Sequence, residues 1–166
     1  MENIIGDKIK EVLETLKKMK INCKIINHPP AYTTELADKY VEGHEGVLSK
    51  TLFLAGKKDR KFYLVILDDN KKVDLKSLGE ITEDRLHFAN EEALKNKMQL
   101  KPGIVSLFGL INNKEKDIKV YIDKTLLNEK IITFHPNENT ATIFITIDDM
   151  FKFLDNLNYK YQIIEL

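Results

Sequence analysis

The sequence predicts an α+β fold: one domain over residues 1–166, with a mixed, mostly antiparallel sheet flanked by helices. Three observations lead to this class. Strand-like and helix-like stretches lack a regular βαβ alternation, pairs of strong strands are separated by short turns, and single amphipathic helices lie between them. A chain of 166 residues can also bury a sizeable core, so we expect it to fold as one unit.

The first predicted elements are a helix, a strand and a short helix. Apolar residues at helical spacing over 5–19, with acids early and lysines late, are typical of an amphipathic helix. Stretch 21–26 has the composition of a strand, and the two prolines that follow require a loop. Thr34 then has a side chain that can cap a short helix over 35–41.

A hairpin at the centre of the sheet is predicted next. The apolar runs at 47–56 and 61–69 are joined by a charged turn, which indicates two antiparallel strands. The remaining predicted elements, in chain order, are a helix 75–79 capped by Asp74, a strand 85–89, a helix 91–98 capped by Asn90, a strand 118–122, a hairpin around His135, a helix 148–158 and a strand 161–166.

The charge balance excludes a protein that coats nucleic acid. The 26 basic and 26 acidic residues cancel, so any RNA contact must be local, and we expect no DNA partner. Lysines cluster at 56–61, 70–76 and 96–101, but the interleaved acids favour solvated surface loops. The N-terminus lacks a leader pattern, no apolar run suits a membrane span, and Cys23 is the single cysteine. We therefore expect a cytoplasmic monomer without a membrane partner.

Signatures of the common catalytic chemistries are missing. The sequence has no G-x-S-x-G elbow, no P-loop, no dinucleotide fingerprint and no H-E-x-x-H. The four histidines are far apart and have no second ligand at metal-binding spacing. We therefore expect neither a metal nor another cofactor.

Four stretches carry a family resemblance: LSKTLFL (48–54), KKVDLKSLGE (71–80), LKPGIVSLFGL (100–110) and FHPNENTATIFI (134–145). In this order they resemble the YbaK/ProX family of aminoacyl-tRNA editing domains. The resemblance is strongest to the freestanding prolyl-tRNA-editing proteins, which are similar to the insertion domain of bacterial prolyl-tRNA synthetase. It implies a deacylase that removes a wrongly attached small amino acid, most often alanine, from the tRNA for proline.

The implied reaction is hydrolysis of the ester between an aminoacyl carbonyl and a ribose hydroxyl. Because this ester is already activated, a positioned water can attack it without a covalent enzyme intermediate. The implied partners are the acceptor end of mischarged tRNA and prolyl-tRNA synthetase. Two other functions stay open: a deacylase that clears cysteine from the tRNA for proline, and a homologue that binds aminoacyl-tRNA, or regulates, without catalysis.

Lys50 is the first candidate catalytic residue. Its ammonium is predicted to lie within an apolar strand, where desolvation is costly unless the ammonium pairs with an anion. A lysine in a strand can also protect a sheet edge from pairing with another strand. In the family, a lysine that matches Lys50 lies in the active site, where it would hold the phosphate or the carbonyl end of the substrate. The neighbouring Thr51 is implied as a substrate contact.

The segment from Gly103 to Gly109 is the second candidate region. Glycine lets the backbone approach a ligand or adopt positive φ, so free N–H groups could face the ester oxygen, although both residues also suit ordinary turns. Relatives commonly have proline in place of Leu107, in a G-x-x-x-P pattern, so Gly103 matches and Leu107 departs. The resemblance implies a catalytic role for Gly103. It implies substrate contacts from Ser106, Leu107, Phe108 and Gly109.

His135 and Pro136 begin the third candidate region. In the family the matching residues line the same pocket, so a catalytic His135 would orient the substrate or a water, and Pro136 would fix the backbone direction after the strand. Asn139 and Thr140 are expected to hold the turn by bonding its backbone. The resemblance implies Pro136, Asn139 and Thr140 as substrate contacts. From the residues alone, a histidine with only a structural role at a strand end remains open.

Overall fold

The computed structural model describes residues 6–57 and 60–166. In chain order their elements are α1 (Asp7–Lys18), β1 (Lys24–Asn27), α2 (Thr34–Tyr40), β2 (Ser49–Ala55), β3 (Phe62–Asp68), α3 (Leu75–Thr82), β4 (His87–Phe88), α4 (Glu91–Met98), β5 (Ile118–Asp123), β6 (Ile131–Phe134), β7 (Ala141–Thr146), α5 (Ile147–Asn156) and β8 (Tyr161–Ile164). Two 3-10 helices, Leu107–Asn112 and Lys124–Asn128, lie between them. None of these helices is long and apolar enough to cross a membrane. Ile5, in the first predicted helix, and Lys58 and Asp59, in the first lysine cluster, lie outside the described residues.

The strands divide between two sheets, and the α+β class with mixed, mostly antiparallel pairing is confirmed. The larger sheet has the order β4-β2-β3-β5-β8. In it, β2 is antiparallel to β3 and β4, whereas β5 is parallel to β3 and β8. The smaller sheet has the order β1-β7-β6 and is antiparallel throughout.

The strand β3 is buried on both faces because it lies in the middle of the larger sheet. Leu64 and Ile66 enter the main core, which the smaller sheet, α1 and α5 complete. Tyr63 and Val65 point to the opposite face, into a second core that α3 covers. The helices thus pack on two sides of one central strand, as expected for a sheet that has no solvent-exposed face at its middle.

The chain just before β2 connects the two sheets. Val47 forms a parallel bridge with Ile132 of β6: its N–H donates to the β6 backbone at 2.8 Å, and its carbonyl accepts from the Thr133 N–H at 3.2 Å. Ser49 extends this contact, since its N–H donates to the Thr133 hydroxyl at 3.3 Å. The start of β2 is therefore fixed against β6.

Two of the three helix caps predicted from the sequence are confirmed. The side chains of Asp74 and Asn90 accept hydrogen bonds from N–H groups in the first turns of α3 and α4. At α2 the prediction is wrong by one residue. Thr33 has the extended backbone of a capping residue, and its hydroxyl accepts from the third N–H that follows, whereas Thr34 is already helical.

Several strands are shorter than their apolar stretches predicted, and for two of them the neighbouring elements give the reason. The strand expected at 21–26 begins only at Lys24, because the chain leaving α1 is held by a bond from the Ile21 N–H to a helix carbonyl at 2.9 Å. The strand expected at 85–89 is reduced to the two residues of β4, since Asn90 already begins α4. The helix predicted at 75–79 instead continues to Thr82.

Candidate active site

A pocket of about 240 Å³ lies between the start of β2 and the end of β6. It is lined by Thr34, Ser49, Lys50, Thr51, Leu52, Gly103, Val105, Phe134 and His135. Four site residues predicted from the sequence, Lys50, Thr51, Gly103 and His135, are therefore brought together from three distant parts of the chain. Their roles in catalysis remain predictions.

Lys50 supplies the cationic group of the pocket. It lies in β2 opposite Leu67 of β3, on a partly buried position. Within residues 6–57 and 60–166, its ammonium makes no hydrogen bond or ion pair. An ammonium that makes no hydrogen bond or salt bridge with the described residues is suited to receive an anionic or carbonyl oxygen.

His135 supplies an imidazole whose tautomer is set by its surroundings. Its Nδ1 lies 3.1 Å from the carbonyl oxygen of Ala141, and because a carbonyl can only accept, Nδ1 carries the proton. Burial lowers the pKa of His135; the Ala141 carbonyl opposes this shift and nearby His28 adds to it. The ring is therefore neutral at neutral pH, with Nε2 free to accept a hydrogen bond.

The polar turn that follows His135 is anchored to the 3-10 helix Leu107–Asn112. The Ser106 hydroxyl donates to the carbonyl of His135 at 2.6 Å and accepts from the Phe108 N–H at 3.2 Å. Asn137 adopts left-handed backbone geometry with φ of 64°, is buried, and donates from its side chain to the Phe108 carbonyl at 3.3 Å. These bonds fix the position of the histidine without placing Ser106 in the pocket.

The same turn also holds the loop that leads into α2. The side-chain amide of Asn139 donates to the Ala31 carbonyl at 3.2 Å, and the Ala31 N–H donates to the Asn139 carbonyl at 3.0 Å. The His28 N–H donates to the Thr140 carbonyl at 2.9 Å. Asn139 and Thr140 therefore bond the neighbouring loop instead of their own turn, and this contact positions Thr34 at the pocket.

Several predicted substrate contacts are not brought to the pocket. Leu107, Phe108 and Gly109 are buried in the main core. A Cβ on Gly109 would lie 2.6 Å from the terminal methyl of Met98, so this glycine permits close packing against α4. The Leu107 side chain, at the position where the family resemblance implies proline, therefore packs in the main core and does not line the pocket. Ser106, Pro136, Asn139 and Thr140 do not line the pocket either.

Gly103 is needed for a different reason from Gly109. Its φ is +84°, in the left-handed region, and a Cβ there would meet no atom within 4 Å. Glycine is therefore required at position 103 by the backbone conformation and not by close packing. The absence of a side chain also leaves the pocket wall open at this point.

Five residues of the pocket lining were not predicted: Thr34, Ser49, Leu52, Val105 and Phe134. Four of them are within two residues of a predicted site residue, so adjacency to a motif was a usable signal. Thr34 had none, because the loop contacts that bring it to the pocket join residues more than 100 positions apart.

The described part of the chain holds no group of three or more His, Cys, Asp or Glu side chains that could bind a metal ion. A larger depression of about 470 Å³ runs along β5 and β8 between lysines and tyrosines. It shares no residue with the pocket that contains Lys50 and His135.

Comparison with known proteins gives consistent matches. The model of the aminoacyl-tRNA editing domain matches residues 28–153. The chain is 35% identical over 156 residues to the prolyl-tRNA editing protein ProX of Acetoanaerobium sticklandii, covering 93% of this chain and 95% of that protein. It is 31% identical over 156 residues to prolyl-tRNA synthetase associated domain-containing protein 1 of Danio rerio, covering 90% and 83%. A solved candidate trans-editing enzyme for prolyl-tRNA synthetase has a TM-score of 0.78 at 17% identity, with 98% of each chain covered.

Proposed function

Because the chain belongs to the aminoacyl-tRNA editing domain family, we propose that it is a trans-editing deacylase that hydrolyses mischarged tRNA for proline, with alanine as the amino acid removed. The observation that carries this proposal is the convergence of Lys50, Gly103 and His135 on one pocket. The 35% identical relative, which is matched over 95% of its length, is named for prolyl-tRNA editing.

In the proposed reaction a water molecule attacks the carbonyl carbon of the aminoacyl ester. The bond between that carbon and the ribose oxygen breaks, one proton of the water goes to the ribose oxygen, the other is released to solvent, and the amino acid leaves as its carboxylate. The protein contributes position and electrostatics, because the ester needs no covalent intermediate.

Lys50 is assigned to hold the phosphate next to the scissile ester. Its unpaired ammonium reaches the pocket from a strand that is hydrogen-bonded to β3, so the charge is presented from a rigid element. A compact ammonium on such a strand can bind a phosphate oxygen by a charge-assisted hydrogen bond.

His135 is assigned to orient the attacking water or a ribose hydroxyl. As a neutral ring with its proton on Nδ1, it can accept a hydrogen bond from either group at Nε2. Proton abstraction is not required of it. The apolar walls, which Leu52, Val105 and Phe134 provide, favour a small, uncharged amino acid side chain.

The test is a deacylation assay with the tRNA for proline charged in turn with alanine, cysteine, serine and proline. We expect alanine to be cleared fastest and correctly attached proline to be spared. Faster clearance of cysteine would redirect the specificity to that amino acid. Failure on every mischarged tRNA, together with tight binding of alanyl-tRNA, would replace the enzyme by a binding protein.

A further inference from the structure

The strand β2 alternates the direction of its backbone groups. The Phe53 carbonyl accepts from the Ala89 N–H at 3.1 Å, next to the β2–β4 pairing, so the backbone groups of Phe53 face β4. The Ser49 N–H donates to the Thr133 hydroxyl of β6 at 3.3 Å. In an extended strand the N–H and C=O of one residue point to the same edge, and every second residue repeats that direction. Thr51, which lies between Ser49 and Phe53, therefore directs its backbone groups to this edge.

At Thr51 the edge of β2 is not covered by a strand. The β6 contact ends at Ser49, and β4 pairs with Leu54 and Ala55. In the described ranges, 6–57 and 60–166, no residue is bonded to the outward N–H or C=O of Thr51. Thr51 instead lines the pocket together with Lys50 and His135. The pocket therefore contains one backbone donor and one backbone acceptor, side by side.

We propose that the Thr51 backbone pairs with the aminoacyl group of the substrate: its N–H donates to the ester carbonyl oxygen, and its C=O accepts from the α-ammonium. This assignment deepens the proposed function and rests on it. In an α-aminoacyl ester the α-ammonium donor and the carbonyl acceptor flank the Cα atom. The N–H and C=O of a residue in an antiparallel partner strand are arranged in the same way. The gap spans one residue, so it fits one amino acid and is too short to receive a strand of another protein.

This pairing accounts for two requirements of editing. It binds the part that all α-amino acids share, so discrimination is left to the apolar walls, which contact the side chain. It also aims a fixed N–H at the carbonyl oxygen, where negative charge develops as water attacks. Lys50 is then free to hold the phosphate, and His135 to orient the water.

The first test removes the Thr51 N–H. The variant Thr51→Val is compared with the same protein carrying the α-hydroxy acid analogue of valine at position 51, which replaces the backbone N–H by an oxygen. The ester also weakens the Lys50 carbonyl, which faces β3, so a urea titration first establishes that both proteins are folded under the assay conditions. We expect the analogue to have a kcat about 10²-fold below that of Thr51→Val, with little change in KM. Equal rates for the pair would overturn the proposal.

The second test does not depend on hydrolysis. The stable ligand 3′-(L-alanylamino)-3′-deoxyadenosine is titrated into the wild-type protein while backbone amide protons are followed by NMR. We expect the Thr51 amide proton to shift downfield and that of Leu52, which faces β3, to move little. The 3′-propionylamino analogue, which lacks the amino group, should bind about tenfold more weakly or worse.

These outcomes separate the inference from the proposed function. A wild-type protein that hydrolyses no mischarged tRNA but shows the Thr51 shift refutes the deacylase and retains the pairing. A protein that clears alanine while the Thr51 amide proton stays unmoved, or binds both analogues equally, retains the deacylase and refutes the pairing.

Discussion

At the scale of single residues, Lys50 is a cation that the described residues leave unpaired at the pocket. Lys50→Ala should change the free energy of unfolding by less than about 0.5 kcal/mol, because the ammonium makes no hydrogen bond or salt bridge with the described residues. Deacylation should nevertheless fall about 10²–10³-fold, since one charge-assisted contact to the substrate is lost. Lys50→Arg should recover little, because a planar guanidinium does not replace a compact ammonium in a small pocket.

The control for Lys50 is Lys119→Ala. Lys119 is also a strand lysine, but it is exposed on β5 and lies outside the pocket. Both variants are measured by alanine clearance and by urea unfolding. Clearance by Lys50→Ala at the rate of Lys119→Ala would contradict the assigned role.

His135 differs from Lys50 because it is predicted to orient a group and not to carry charge. Burial holds the pKa of its imidazole below the ordinary value of 6.5, so the ring stays neutral as pH rises through neutrality. His135→Ala should therefore cost less activity than Lys50→Ala. An NMR titration of the ring protons should place the midpoint below 6.5, and a midpoint at or above that value would contradict the neutral tautomer.

At the scale of elements, a buried carboxyl group lies where the end of β3 faces α2. Asp69 follows β3, and both of its carboxyl oxygens are inaccessible to solvent and make no hydrogen bond with the described residues. Burial, together with the neighbouring Asp38 carboxyl on α2, raises the pKa of Asp69 to about 7. The charge of Asp68 adds to this shift and that of Lys50 opposes it. Asp69 therefore carries a proton below about pH 7 at the point where the larger sheet faces α2.

The raised pKa of Asp69 predicts that the stability of the fold depends on pH. Because the folded protein holds a proton on Asp69 that the unfolded chain releases near its ordinary pKa of 3.8, stability is full below that value and is lost as pH rises through about 7. The free energy of unfolding should fall by on the order of 1 kcal/mol between about pH 5 and pH 8, allowing for solvent screening. Asp69→Asn should flatten this dependence, whereas Asp155→Asn, at an exposed position, should leave it unchanged. If the free energy of unfolding of Asp69→Asn still falls over this pH range, the pH dependence must come from other groups.

The loop between β3 and α3 is held by a second charged contact. Asp123 at the end of β5 is fully buried, and its carboxylate accepts from Lys71 at 2.8 Å and from the Thr125 hydroxyl at 2.8 Å. Burial opposes ionisation of Asp123, but these two bonds outweigh it and lower its pKa. Lys71, the first lysine of the KKVDLKSLGE stretch, thus has a buried structural partner, although the composition of this lysine cluster is typical of a solvated loop.

Removing this contact should destabilise the fold. Lys71→Ala is expected to lower the free energy of unfolding by about 1–3 kcal/mol, because a buried carboxylate loses its charged donor. Lys124→Ala is the matched control, since the pair of Lys124 with Glu165 is exposed on both sides and should contribute less than about 1 kcal/mol. If both variants lose the same free energy of unfolding in urea, burial of Asp123 does not strengthen its contact with Lys71.

At the scale of the whole molecule, the parts predicted from sequence are those set by neighbours along the chain. Asp74 and Asn90 cap helices whose first turns they precede directly, and the β2–β3 hairpin is joined by a short charged turn. The contact that joins the two sheets had no local signal, because it depends on a bridge between residues 47 and 132. Pocket residues carried by the four motif stretches were found, whereas Thr34 reaches the pocket only through contacts across the fold.

The junction of the two sheets decides whether the two halves of the pocket stay in register. Lys50 belongs to the larger sheet and His135 follows a strand of the smaller one, and near the pocket the hydroxyl of Thr133 joins them. This hydroxyl accepts from the Ser49 N–H at 3.3 Å and donates to the Val47 carbonyl at 3.2 Å. A shift of about 1 Å between reacting groups can cost 10²-fold in rate.

Thr133→Val keeps the shape of the side chain and removes the hydroxyl, so its effect reports the junction alone. We expect a loss of about 1–3 kcal/mol in the free energy of unfolding, because a buried position loses its hydrogen bonds. Alanine clearance should fall by about tenfold or more even at temperatures where the variant is fully folded, since two of the hydrogen bonds that keep Lys50 and His135 in register are lost. Thr133→Ser retains the hydroxyl and should recover most of the rate. If Thr133→Val is destabilised but clears alanine as fast as Thr133→Ser, the junction supports the fold without setting the geometry of the pocket.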